Sequence, residues 1–147
     1  MAQRVRGRGS FVAGSVFLIL VGLLHLGAHL QATLAPLPSE AARELRAAME
    51  AFRLDSLGLR SSAADLQNGL SLAFTLLLLF TGTQNLVALR ASSDPRRTIV
   101  ALGRTSAIGT ASVAILFAVL KIPPPVITLI PAAACFARAS RLARPPT

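Results

Sequence analysis

The run FVAGSVFLILVGLLHLGAHLQATLAPL, from Phe11 to Leu37, contains no Asp, Glu, Lys or Arg. Roughly 20 apolar residues, at about 1.5 Å of helical rise each, cross the ~30 Å hydrocarbon core of a bilayer. So long an uncharged run reads as a membrane span, and it constrains everything after it. Backbone polar groups find no water in lipid, so later segments must either be helices or stay out of the hydrocarbon. Charged residues make up only 14% of the chain, against about 25% in soluble domains. The apolar residues fall in blocks, and the expected fold is all-α: a four-helix transmembrane bundle forming a single membrane domain over residues 1–147.

Arg4, Arg6 and Arg8 precede the run, and a basic start, an apolar core and the small Ala32 also fit a cleavable signal peptide. The uncharged stretch outruns the roughly 7 to 15 residues of a signal core, and further blocks follow, so a retained first span over 11–35 is expected. Pro36 and Pro38 end it. Ser39 is then placed to cap an amphipathic helix over 39–54, with Ala42, Leu45, Met49 and Phe52 at three- and four-residue steps and Arg46 one turn from Glu50. It carries too many charges to span, and an external position in the membrane interface suits it, with a lid over the bundle mouth as a sharper variant.

The second span covers 66–89. Asp94 and Pro95 supply a cap and a first-turn proline for a third span over 96–120, which Arg104 interrupts near its start. Residues 123–138 form a short fourth span containing Pro131. With the N-terminus inside, Arg4, Arg6, Arg8, Arg90, Arg96, Arg97, Arg104, Arg138, Arg141 and Arg144 fall on the inner side; Arg43, Arg46, Arg53, Arg60 and Lys121 fall outside. The positive-inside rule then places both termini in the cytoplasm. The net charge of +9 does not point to nucleic acid: Trp and Tyr are absent, and the basic residues flank apolar blocks instead of alternating with stacking aromatics.

His25 and His29, the only histidines, are one helical turn apart inside the first span. Counted from Phe11, they lie about 21 and 27 Å along the axis, in the outer part of the membrane. The second span runs the opposite way, so Gln67, Asn68 and Ser71 reach the same level. Polar and small residues on one stripe of a membrane helix face its neighbours: Ser15, Leu18, Gly22, His25 and His29 on the first span, Asn68, Ser71, Thr75, Gly82 and Asn85 on the second, and Thr105, Gly109 and Ser112 on the third. Two readings follow. Interhelical hydrogen bonds serve packing alone, or His25, His29, Asn68 and Ser71 wall a pocket that binds a ligand. A metal held by the two histidines needs further ligands, for which Asp65 and Glu40 are the candidates. The single Cys135 excludes a disulfide framework and reads as a small buried hydrophobe. No catalytic motif and no cofactor-binding motif is present.

The block NGLSLAFTLLLLFTGTQNL, with Gly69, Leu70, Ser71, Leu72, Gly82, Asn85 and Leu86, resembles a pattern found in an uncharacterised family of small bacterial four-helix integral membrane proteins. The last span, opening on Pro124, Pro125 and Val126, is similar as well. Gln67 departs from the pattern, which has an aromatic residue or histidine there. The resemblance implies a four-helix fold and a bacterial plasma-membrane location, and carries no activity with it. The function expected on these grounds is a non-enzymatic membrane component that binds a lipophilic ligand or serves as an accessory subunit. Its partners would be membrane lipids, a further copy of itself or another membrane protein. The alternative is a metal- or redox-dependent membrane enzyme using His25 and His29.

Overall fold

The computed structural model describes residues 5–55, 58 and 60–144. Arg4, used in the charge reading above, lies outside them, as do residues 145–147. The described residues form five helices, α1 (Arg8–Leu34), α2 (Glu40–Ala51), α3 (Ala63–Ala91), α4 (Pro95–Val119) and α5 (Pro123–Leu142).

The helix ends have local causes. Ser39 Oγ accepts from the Ala42 amide at 3.2 Å and Asp94 Oδ1 from the Arg97 amide at 3.1 Å, each satisfying a donor the first turn leaves open. α3 begins at Ala63, ahead of the expected 66, because Ser62 and Asp65 close a reciprocal cap. Asp65 Oδ2 accepts from Ser62 N at 2.9 Å and Ser62 Oγ at 2.8 Å, while the Asp65 amide donates back to Ser62 Oγ at 3.1 Å.

α2 stops at Ala51, short of the expected 54, because the chain leaves it extended and pairs with the approach to α3. Leu54 N donates to Ser61 O at 3.0 Å, Ala63 N to Phe52 O at 2.9 Å, and an antiparallel bridge joins Arg53 and Ser62. At the end of α4, Lys121 adopts the left-handed conformation (φ 56°), and Ile122 N reaches back to Phe117 O at 2.9 Å. This is the helix-terminating motif that glycine usually supplies.

α1, α3 and α4 are the three helices long and apolar enough to cross a membrane. The expected fourth span requires correction. α5 forms, continues past 138 to Leu142 and carries Pro131 inside it. It has the length to span but not the apolarity, because Pro123, Pro124, Pro125 and Pro131 and the charged Arg138 and Arg141 dilute it. Large apolar side chains point outward along the helices, among them Leu24 at 72% exposure and Val119 at 73%. A soluble monomer rarely exposes contiguous apolar surface of this kind, and lipid suits it.

The chain divides into two compact units, residues 22–77 and the remainder; α1 and α3 contribute to both. In the larger unit, Phe11 and Phe136 are wholly buried and meet edge to face with ring centroids 5.7 Å apart. A Cβ on Gly14 would stand 3.1 Å from the Phe136 ring and 3.2 Å from Cys135 Cβ, so α1 and α5 approach closely there. Cys135 itself is half-buried. Gly82 of α3 lies against the α1 backbone at Ser15, and Asn85 Nδ2 donates to Ser106 Oγ of α4 at 3.0 Å. Gly103 packs against Phe136 and Ser140 of α5. Arg96 Nε donates to Ala143 O at 2.7 Å.

The packed stripe of α4 is therefore Ile99, Gly103, Thr110 and Ala114. The expected stripe, Thr105, Gly109 and Ser112, is exposed. Thr105 Oγ1 satisfies itself on Ala101 O of its own helix at 2.8 Å, which removes any need for an interhelical partner.

The smaller unit contains the second part of α1, all of α2, the paired segment and the start of α3. Its buried residues are few: Leu54, Ser62, Ala64 and Thr75 lie beneath the segment and along α3. α2 has no buried residue, and Leu45 and Phe52 remain largely exposed. A unit with so little interior of its own leaves room for a cavity.

Candidate functional site

That cavity measures about 460 Å³ and lies wholly within the smaller unit, between α1, α2 and the first turns of α3. Its size is in the range of small-molecule sites, roughly 300 to 1,000 Å³. α1 contributes His25, Ala28, His29 and Ala32 at helical spacing, so one face of the helix forms one wall. α3 contributes Gln67, Asn68 and Ser71. α2 contributes Ala42, Leu45, Arg46 and Met49, which puts its expected apolar stripe on the cavity with a guanidinium set into it. Thr33 and Leu37 complete the lining.

All four expected site residues, His25, His29, Asn68 and Ser71, line this one space. Only one pair bonds directly: His25 Nε2 and Ser71 Oγ are 3.1 Å apart. The Phe74 ring meets the His25 imidazole edge to face, with centroids 5.2 Å apart and planes at 86°. Together these contacts fix the imidazole from two sides. Among the described residues the side chains of His29, Gln67 and Asn68 make no hydrogen bond, so their polar atoms are available to a guest.

Arg46 is the site residue that the sequence reading passed over. The expected pairing one turn on is present, Arg46 Nε donating to Glu50 Oε1 at 2.6 Å. Yet Ala42, Arg46 and Met49 also fall at four- and three-residue steps, a spacing that places Arg46 beside the apolar stripe and could have found it.

The chemistry open to these residues is limited. Ser71 beside His25 places a hydroxyl next to a base. The other imidazole nitrogen has no hydrogen-bond partner among the described residues, so no acceptor there plays the part of a catalytic triad's third member. For a metal, His25 and His29 would need further ligands. Asp65 is occupied by Ser62, neither Asp65 nor Glu40 lines the cavity, and no group of three or more His, Cys, Asp or Glu side chains suited to a metal forms among the described residues.

A second cavity, about 420 Å³, lies between α4 and α5 in the larger unit and is lined by alanines with Ile115, Val126 and Ile130. It offers no polar group to orient a ligand. Comparison with family models, curated proteins and solved structures finds no match to the chain.

Proposed function

We propose that the protein is a multi-pass protein of a bacterial plasma membrane that binds a small lipophilic ligand without transforming it, and that the cavity of the smaller unit is the binding site. One observation carries this reading. The lining joins a polar group, His25 hydrogen-bonded to Ser71 with Asn68 and His29 beside it, to the apolar faces of Ala28, Ala32, Ala42, Leu45 and Met49. That division matches an amphiphile with one hydrogen-bonding end.

The reading extends to the architecture. In the larger unit α1 touches α5 at Phe11–Phe136 and α3 at Gly82, α3 touches α4 at Asn85–Ser106, and α4 touches α5 at Gly103. This closed sequence of contacts supports a four-helix bundle of the kind the family resemblance implies, with α5 as its short fourth member. The two termini are assigned to the cytoplasm and α2 to the external interface, where Phe52 would enter lipid.

The test is the material that stays with the protein. Purified in a mild neutral detergent and extracted with organic solvent, the full chain is expected to release a lipophilic compound at near-stoichiometric yield. A His25→Leu, Ser71→Val double variant of unchanged thermal stability should release about tenfold less, the loss of roughly 1.4 kcal/mol of binding. Equal recovery from both proteins would refute the site. Stoichiometric metal, lost on replacing both His25 and His29 with alanine, would assign the protein instead to the metal-dependent membrane enzymes.

A further inference from the structure

The smaller unit's cavity is lined by a cation and by no carboxylate, beside hydroxyl and amide groups that can both donate and accept. Arg46, Gln67, Asn68, His25 and His29 all carry or can carry N–H donors, and no Asp or Glu lines the space. The neighbouring carboxylates of Glu50 and Asp65 lie outside the lining and already have partners. Glu50 accepts from Arg46 Nε, and Asp65 Oδ2 accepts twice from Ser62. Because the Glu50 contact uses Nε, the two terminal guanidinium nitrogens of Arg46 remain, and these are the donors that grip an oxyanion side by side. The amide N–H₂ groups of Gln67 and Asn68, without partners among the described residues, add donors from the α3 wall.

A neutral hydroxyl head would satisfy one or two of these donors. An ammonium head would meet the Arg46 cation on the lining, while the Glu50 carboxylate that pairs with Arg46 lies outside it. An oxyanion with several lone pairs answers the whole set, and the apolar faces of Ala28, Ala32, Leu45 and Met49 accept a chain. We infer that the ligand is a single-chain amphiphile with an oxyanion head, a long-chain carboxylate or an alkyl phosphate, held by Arg46, Gln67 and Asn68. The inference rests on the reading of this cavity as a lipophilic-ligand site.

Four probes of equal chain length test it: dodecanoate, dodecyl phosphate, dodecanol and dodecylamine, each titrated into the full-length protein in phosphatidylcholine nanodiscs. One or both anions should bind about tenfold tighter than dodecanol, as a charge-assisted contact requires, and dodecylamine more weakly than all. Whichever anion is preferred identifies the source, a free fatty acid or a phosphate-headed lipid. Arg46→Gln should remove the preference while leaving dodecanol binding in place, and Arg46→Lys should restore part of it. The chain's +9 charge attracts anions everywhere, so a preference that survives Arg46→Gln overturns the assignment to this cavity. Dodecanol binding saturably and as tightly as both anions overturns the oxyanion inference and leaves the lipophilic site standing. No saturable binding by any probe overturns the site itself.

Discussion

Replacing Gly82 with valine is expected to destabilise the larger unit more than the same change at any other glycine within its helices. A Cβ at Gly82 would stand 2.6 Å from Ser15 O and 2.7 Å from Ile19 Cγ1. The first of these atoms belongs to the α1 backbone, which cannot rotate aside as a side chain does. Ser15 is itself fully buried and bonds back to Phe11 O at 2.9 Å, so α1 is held at that turn and the two helices must move apart. Membrane helices associate largely through such close packing, because lipid already solvates their apolar surface. Overpacking of this kind costs about 1–3 kcal/mol; alanine should fall at the lower end and valine at or beyond the upper. Gly109 is the internal comparison. Nothing lies within 4 Å of the position its Cβ would take, so Gly109→Ala should change stability by less than about 0.5 kcal/mol. Thermal unfolding in detergent separates the two. Equal effects at Gly82 and Gly109 would mean that α1 and α3 do not meet at this turn.

An all-or-none effect is expected from the threading. Reporter fusions made after Arg97 and at the C-terminus would fall among Arg90, Arg96, Arg97, Arg138, Arg141 and Arg144, and the only side-chain carboxylate beside them is Asp94, which caps α4. Moving a cluster of arginines across a bilayer is strongly disfavoured, and their bias sets orientation. A reporter active only in the cytoplasm should work at both positions, and one that needs an external location should fail at both. A single position reporting the opposite side would show that α5 does not cross, because its prolines and arginines leave it the least apolar of the long helices. External activity at both would invert the threading.

Several structural features were legible in the sequence for definite reasons. Ser39 and Asp94 announced the starts of α2 and α4 because a cap is a local matter of one side chain and the next turn. The convergence of His25 with Ser71 followed from counting helical rise along two antiparallel segments. The packed face of α4 was not legible. In a helix apolar on every side, polarity no longer distinguishes inside from outside, and Gly103, Thr110 and Ala114 look no more like an interface than Thr105, Gly109 and Ser112 until α5 is in place. The pairing of Phe52 and Leu54 with Ala63 and Ser61 was equally hidden, since it joins segments through backbone groups that every residue carries. Arg46 was hidden by its own ion pair: i,i+4 spacing to Glu50 explained it, and so its second role on the cavity wall went unread.

An experimental structure of the protein in nanodiscs of native membrane lipid distinguishes a binding site beneath His25 from a packing gap. Elongated density is expected to fill the space, with its polar end within hydrogen-bonding distance of Arg46 and Asn68 and its chain along Ala28, Leu45 and Met49. A cavity closed by inward movement of Leu37 and Met49, or holding only water, would contradict the account and reduce the His25–Ser71 contact to helix packing.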